Sequence, residues 1–222
     1  MDWTLSLYPL STCEVLRQAL SRASLPADSL GDLSSAAEQY NRLWLTLERS
    51  AESTEALRRQ ILSTLCAERG TAGEVDADAI ARAYGDIRSE TGVCLFTGVD
   101  RLLADLQSKY KLGLLTNGPS DISWEKIRSL NLDPWFDAIL VAGDLGIYKP
   151  DIEIFEHLLD ALGVPANQAL FVGDTYETDI VGAARAGMHT AWINRRDEMI
   201  HTDAIVPTVV RFDTAQLRKD LL

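Results

Sequence analysis

The chain has 222 residues, 46% of them hydrophobic, and a formal net charge of -12 at pH 7. This acidic balance, without any run of basic residues, argues against nucleic acid or an anionic membrane surface as the main partner, since both favour clusters of Lys and Arg. Cys13, Cys66 and Cys94 are scattered, and the sequence has neither a signal peptide nor an apolar stretch of about 18 residues, so we expect a soluble cytoplasmic protein with reduced thiols.

The length predicts one core domain with a modest insertion. Within residues 11–90, apolar residues recur at helical spacing in three stretches, 15–20, 40–47 and 57–65, and breaks fall at 26–31 and 70–73. We therefore expect a small all-helical unit at 11–90. Residues 1–10 and 91–222 are expected to form an α/β core.

Strand and helix patterns alternate after residue 91, which predicts a doubly wound parallel sheet. Buried strands are predicted at 112–115, 138–141, 169–172 and 190–193. The predicted helices are 100–109, 121–130, one from Pro150 to a stop at Gly163, one that Gly187 ends, and a last one that Asp213 caps.

The stretch from Gly173 to Asp179 follows the predicted strand 169–172. An apolar strand that ends in Gly-Asp puts the Asp174 carboxylate at the carboxyl edge of a parallel sheet, where α/β proteins bind ligands. Asp179 is expected to face the same crevice. Two converging carboxylates repel each other unless a cation, a lysine or a proton lies between them, and Mg²⁺ is the simplest candidate. A turn followed by a helix cap is the ordinary alternative.

Two further polar motifs lie at strand ends. Thr116-Asn117-Gly118 closes strand 112–115, where a hydroxyl and backbone N–H groups are suited to hold phosphate oxygens. Lys149 precedes a helix whose start is fixed by Pro150, and a lysine there can lie between carboxylates and phosphate. A turn and a surface lysine are the ordinary alternatives.

Jointly, these motifs resemble those of the haloacid dehalogenase-like hydrolase superfamily, over nearly the whole chain. Thr116-Asn117-Gly118 is similar to its second motif, Lys149-Pro150-Asp151 to its third, and the stretch 173–179 to its fourth. The segment before residue 91 resembles the helical cap of many members. The resemblance implies that the second motif binds the transferring phosphoryl group, Lys149 pairs with the nucleophile and phosphate, Asp174 binds Mg²⁺, and Asp179 supports the metal site.

The first motif of the family, Asp-x-Asp-x-Thr-Leu behind an apolar strand, has only a partial counterpart here. Asp2-Trp3-Thr4-Leu5 fits its second half, which makes Asp2 the general acid/base and a backbone ligand of the metal, and leaves the nucleophile absent. In a rival register Asp2 is the nucleophile, and Thr4 then stands at the acid/base position. We favour the first register, because threonine cannot do acid/base work. We also expect that a late start codon omits the preceding strand, which would impair the chain as given.

The resemblance implies a Mg²⁺-dependent phosphomonoester hydrolase that acts through an aspartyl-phosphate intermediate on a small phosphometabolite, of the nucleotide or sugar phosphate class. Two alternatives stay open: a non-catalytic member that binds a phosphometabolite or a partner protein, and a hydrolytic dehalogenase of small haloacids. Asp174 and Asp179 argue against the dehalogenase, because such members do not keep that acidic pair intact. Nothing in the sequence specifies the substrate or the oligomeric state.

Overall fold

The computed structural model describes residues 1–195, 197–199, 205–211 and 213–221. The chain divides into two compact units, one of Tyr8–Cys94 and one of Met1–Leu7 with Leu95–Leu222. Two short strands, β1 (Ser6–Leu7) and β2 (Cys94–Leu95), form a two-stranded sheet. Among the described residues, no helix has the length and apolar character needed to cross a membrane.

The unit Tyr8–Cys94 consists of four helices: α1 (Thr12–Arg22), α2 (Leu33–Leu47), α3 (Thr54–Glu68) and α4 (Ala77–Thr91). Each begins after a capping side chain that accepts a backbone N–H bond from the first turn, a contact worth about 1 kcal/mol. The four caps are Ser11, Asp32, Ser53 and Asp76. The apolar stripes of the helices meet in one core, which includes Leu16, Leu20, Leu57, Ile61, Leu65, Ile80 and Ile87.

The other unit is built on parallel strands. Strand β3 (Gly113–Thr116) pairs with β4 (Ala138–Val141), with Gly113 opposite Ala138. Strand β5 (Leu170–Gly173) pairs with β6 (His189–Ile193), which pairs with β7 (Val209–Arg211). Within the described part of the chain these are two separate hydrogen-bonded sheets.

The helices of this unit alternate with its strands, which confirms the predicted α/β class. They are α5 (Val99–Gln107), α6 (Ser120–Ser129), α7 (Ala142–Leu145), α8 (Ile152–Leu162), α9 (Gly182–Arg185) and α10 (Thr214–Leu221). Asp213 caps α10, as its spacing to Gln216 predicts, by accepting the Gln216 backbone N–H at 2.7 Å. Strand β7 and helix α7 are not predicted from the sequence.

The helix predicted to end at Gly187 is irregular. It begins as a π-helical turn, Tyr176–Val181, and only then continues as α9. Gly182 lies at the junction, and a Cβ there would come within 2.7 Å of the Phe155 ring and 2.9 Å of the Pro150 backbone. The wider turn therefore brings Asp179 back towards the end of β5 while α9 packs closely against α8.

Candidate active site

Strand β5 ends at a glycine because the Asp179 side chain folds back onto it. A Cβ on Gly173 would lie 2.4 Å from Asp179 Cβ and Oδ2, which is closer than any side chain permits. The Oδ2 atom of Asp179 accepts the backbone N–H groups of Asp174 at 3.0 Å and Thr175 at 3.1 Å. Asp179 thereby fixes the backbone of the loop that carries Asp174.

Asp179 also forms a buried ion pair with Lys149. Lys149 Nζ lies 2.6 Å from Asp179 Oδ1, and the two side chains are only 7% and 5% exposed. Although burial favours the neutral carboxyl group, the Lys149 ammonium holds the pKa of Asp179 below its ordinary value. The pair is therefore charged at neutral pH, with both oxygens of Asp179 in hydrogen bonds.

Asn117 holds the backbone of Lys149. Its side-chain amide donates to the Lys149 carbonyl at 3.0 Å and accepts the Lys149 backbone N–H at 2.9 Å. The loop after β3 and the loop before α8 are thus joined by two bonds over 32 residues of sequence. Thr116, the buried last residue of β3, directly precedes this clamp. Gly118 follows it, and a Cβ there would lie 2.9 Å from Ser123 Oγ.

Asp174 is held from two sides. The Thr4 hydroxyl donates to Asp174 Oδ1 at 2.7 Å, and the indole N–H of the buried Trp192 donates to the Asp174 carbonyl at 3.0 Å. Burial, and then the negative charge of Asp179, raise the pKa of Asp174. A cation at this carboxylate would offset both effects.

The donor set at Asp174 fits a magnesium ion. Among the residues that the structure describes, no group of three or more His, Cys, Asp or Glu side chains forms a ready-made metal cage. Mg²⁺ does not require one, because it is usually bound by one or two carboxylates together with waters and phosphate oxygens. Asp174 has the chemistry of such a ligand, and Asp179 supports it from behind.

The Asp2 carboxylate is held by a residue that the sequence analysis does not single out. Asp2 Oδ2 lies 2.5 Å from Lys126 Nζ, and Asp2 Oδ1 accepts a hydrogen bond from Ser6 Oγ at 3.3 Å. Although desolvation favours the neutral form, Lys126 holds the pKa of Asp2 below its ordinary value.

The segment that carries Asp2 lies beside the buried pair. Burial, and then the charge of Lys149, lower the pKa of the Met1 amino group, which also lies in the field of Asp2, Asp174 and Asp179. The structure therefore brings Lys149, Asn117, Asp174 and Asp179 together through direct bonds, with Asp2 next to them and turned towards Lys126.

Three further residues escaped the sequence analysis. Lys126 has a signal in hindsight, because it shares the buried stripe of α6 with Ser123 and Ile127. The contacts of Trp192 and Arg195 become visible only in the folded sheet. Arg195 Nε donates to the Trp3 carbonyl at 3.0 Å, and the Arg195 guanidinium lies over the Phe96 ring at 3.8 Å. A cavity of about 170 Å³ adjoins Asp174 and is lined also by Trp3, Ile193, Asn194, Arg195 and Glu198.

The chain was compared with protein families and with known sequences. Residues 33–193 match the family model described as haloacid dehalogenase-like hydrolase. The N-acylneuraminate-9-phosphatase of Mus musculus is 39% identical over 110 residues, which are 49% of this chain and 44% of that protein. The hydrolase YfnB of Bacillus subtilis is 30% identical over 167 residues, 75% of this chain and 69% of that protein. The chain thus spans less than half the length of the first curated relatives that it matches.

Solved structures give the same fold. The YfnB structure bound to magnesium superposes with a TM-score of 0.79 at 24% identity, covering 100% of this chain and 95% of that one. The 2-haloacid dehalogenase of Pseudomonas syringae pv. Tomato DC3000 gives a TM-score of 0.63 at 28% identity and covers 99% and 95%.

Proposed function

Since the chain belongs to the haloacid dehalogenase-like hydrolase family, we propose that it hydrolyses a small phosphomonoester with the help of Mg²⁺. The observation that carries this proposal is the contact of Lys149 with Asp179 beneath Asp174, because it combines a fixed cation for phosphate with a carboxylate suited to a hard metal. A sugar phosphate is the substrate class that the similarity to N-acylneuraminate-9-phosphatase supports.

Phosphate binding is assigned to the carboxyl end of β3 and to the loop before α8. The Thr116 hydroxyl and the Lys149 ammonium would hold phosphoryl oxygens, while Asp179 holds Lys149 in place. Asn117 contributes indirectly, because its amide is bonded to the Lys149 backbone. A lysine held at both its backbone and its side chain is preorganised for charge stabilisation.

Asp174 would bind the magnesium ion, and the backbone carbonyl of Asp2 would be a second ligand. When bound, Mg²⁺ supplies a positive charge that offsets the charge of the transferring phosphoryl group. Thr4 orients the Asp174 carboxylate through Oδ1, and Trp192 fixes its backbone.

The Asp2 side chain is assigned to acid/base chemistry. In this register Asp2 is the general acid/base: its carboxylate accepts a proton from the water that hydrolyses the aspartyl phosphate, and its protonated form gives a proton to the departing alkoxide, while no residue of the chain is assigned as the attacking carboxylate. The 39% exposure of the Asp2 side chain supports this role, because an acid/base carboxylate must reach the leaving group. The rival assignment, with Asp2 as the attacking carboxylate, places it in contact with phosphorus instead.

A hydrolytic dehalogenase is the second candidate, and the similarity to the 2-haloacid dehalogenase of Pseudomonas syringae supports it. Dehalogenation needs no metal. The Asp174 carboxylate, with the raised pKa that burial and Asp179 give it, would then have no metal ion to offset its charge. The phosphatase is therefore favoured.

Both reactions are tested with one set of substrates. Release of orthophosphate from sugar phosphates, nucleoside monophosphates and 4-nitrophenyl phosphate is measured with and without Mg²⁺, alongside halide release from 2-chloropropionate.

Mg²⁺-dependent phosphate release that Asp174→Asn abolishes supports the proposal. Halide release without metal would replace it by the dehalogenase. Binding of a phosphometabolite without turnover would favour a non-catalytic member.

A further inference from the structure

The cavity beside Asp174 combines apolar walls with one positively charged group. Trp3 and Ile193 form apolar walls, and Arg195 supplies the positive charge. A cavity needs roughly 10–15 Å³ to hold one water, so a volume of about 170 Å³ has room for a small organic group. Apolar walls with a few polar groups are typical of small-molecule sites. The carbon skeleton of a ligand would lie against the apolar walls, and an anionic end would meet Arg195.

The Arg195 guanidinium is held in place but has no anion beside it. Its Nε donates to the Trp3 carbonyl at 3.0 Å, and the group lies over the Phe96 ring at 3.8 Å. Its Nη2 is enclosed and has no hydrogen-bond partner, which is costly for a charged donor. Among the residues that the structure describes, no carboxylate forms an ion pair with this guanidinium. Partial burial lowers the pKa of Arg195, and the fields of Asp213 and Asp174 offset this only in part.

A carboxylate is the ligand group that suits this guanidinium. The planar fork of an arginine matches the two oxygens of a carboxylate, and one nitrogen of Arg195 is already used by the Trp3 carbonyl. The phosphoryl group is assigned above to Thr116 and Lys149. Since the field of Asp174 reaches Arg195, the two groups are close enough for one small molecule to occupy both places.

We propose that Arg195 is a specificity-determining residue that binds the carboxylate of a small phosphorylated acid. This inference rests on the proposed function and narrows its substrate class to phosphate esters of hydroxy acids and sugar acids. Arg195 binds the carboxylate end of the molecule, away from phosphorus. It therefore selects the ligand and takes no part in bond breaking.

Glu198 is the negatively charged residue of the same cavity and provides a control of opposite sign. The Asn194 side chain holds the Glu198 backbone, because its amide donates to the Glu198 carbonyl and accepts the Glu198 N–H, both at 2.9 Å. Glu198 is exposed, so solvent screens its charge without removing it. Glu198→Gln should therefore strengthen the binding of a carboxylate, whereas Arg195→Met should weaken it.

The test is a binding measurement with two ligands that differ only in the carboxylate. They are the phosphonate analogues of 3-phosphoglycerate and of glycerol 3-phosphate, in which a CH₂ group replaces the ester oxygen, so neither is hydrolysed. Calorimetry with Mg²⁺ present gives the ratio of their affinities. Wild type should prefer the carboxylate ligand by about 10-fold, the effect of one charge-assisted hydrogen bond. Arg195→Met should reduce the preference to less than about 2-fold, and Glu198→Gln should raise it about 2- to 5-fold.

Arg101→Met is the matched control, because Arg101 is an exposed arginine of α5. It should leave the preference unchanged. A wild type that binds both ligands equally, or that binds neither, would overturn the inference, and so would a preference that survives Arg195→Met. If Arg195→Met does not fold, Glu198→Gln decides, and a preference that does not rise in this variant counts against the carboxylate site.

The ratio of affinities separates this inference from the proposed function, because it requires no turnover. A protein that prefers the carboxylate ligand through Arg195 but hydrolyses no phosphomonoester would refute the proposed function and leave the carboxylate site standing. A protein that hydrolyses phosphomonoesters with Mg²⁺ but shows no such preference would refute the carboxylate site alone.

Discussion

The buried Lys149–Asp179 pair gives the sharpest prediction on stability. Asp179→Asn keeps the shape of the side chain but removes its charge, and it leaves the Lys149 ammonium, 7% exposed, without its carboxylate. The amide oxygen can also replace only one of the two carboxylate oxygens, which bond Lys149 on one side and the backbone N–H groups of Asp174 and Thr175 on the other.

Removing one partner of a buried ion pair costs about 3–5 kcal/mol. For a chain of this size each kcal/mol lowers the melting temperature by about 2–4 °C, so we expect a decrease of about 6–20 °C. The assays are a thermal melt, which gives the melting temperature, and urea denaturation, which gives the free energy of unfolding; both are followed by tryptophan fluorescence and by far-UV circular dichroism, which together detect separate unfolding of the two units. Adding Lys149→Met to Asp179→Asn should recover part of the loss, because the ammonium that has lost its carboxylate is then gone.

Asp174→Asn is the matched control, since the same chemical change falls on a carboxylate five residues away. The negative charge of Asp174 is unfavourable in the folded protein, because burial and Asp179 raise the pKa of this carboxyl group. The variant should be as stable as wild type or more stable. An Asp179→Asn variant within about 1 kcal/mol of wild type, or a larger loss for Asp174→Asn, would refute the assigned roles.

Three further predictions follow from the same loop. Asp174→Asn should abolish Mg²⁺ binding in calorimetry. Asp160 is an exposed carboxylate of α8, so the control variant Asp160→Asn should bind Mg²⁺ as wild type does. Unchanged Mg²⁺ affinity in Asp174→Asn would exclude Asp174 as a ligand. The stability advantage of Asp174→Asn should be absent near the ordinary carboxyl pKa of 3.8 and should appear as the pH rises through the raised pKa of Asp174. The reason is that a carboxyl group with a raised pKa stabilises the folded wild-type protein only while the group is protonated. Urea titrations from about pH 4 to about pH 8 check the sign. Gly173→Ala should lower stability by about 1–3 kcal/mol and weaken Mg²⁺ binding, because its Cβ would lie 2.4 Å from Asp179. Gly85→Ala, whose nearest contact is the flexible end of an arginine side chain, should not destabilise the protein, and equal losses at both glycines would contradict the prediction.

Most helices and strands could be predicted from the sequence because each produces a local pattern of apolar and polar residues. Strand β4 lies at 138–141 as predicted, and β5 is displaced by one residue from 169–172. Short apolar runs between polar loops are typical of buried parallel strands. Strand β7 escaped because Val209–Arg211 is too short to show a pattern. The hydrogen-bonded separation of the β3–β4 and β5–β6–β7 sheets depends on pairing between distant segments, which periodicity does not report.

The site was predictable where chemistry follows a strand end. Thr116 and Asp174 stand out in the sequence for that reason, and Lys149 stands out because it precedes the proline expected to start a helix. The π-helical turn that folds Asp179 back onto Gly173 could not be predicted from the sequence, because it depends on close packing with distant residues. Lys126 was missed because a single lysine in an amphipathic helix usually lies on the solvent side. The clamp of Asn117 on the Lys149 backbone, across 32 residues, has no local signal at all.

The most direct test of the central claim is hydrolysis of a sugar phosphate by the protein in water enriched in ¹⁸O. Attack on phosphorus breaks the phosphorus–oxygen bond, so mass spectrometry should find the label in the released orthophosphate and none in the sugar, and turnover should require Mg²⁺ and an intact Asp174. Label in the sugar would mean attack on carbon, as in a dehalogenation. That result, or turnover unchanged by Asp174→Asn, would contradict the account.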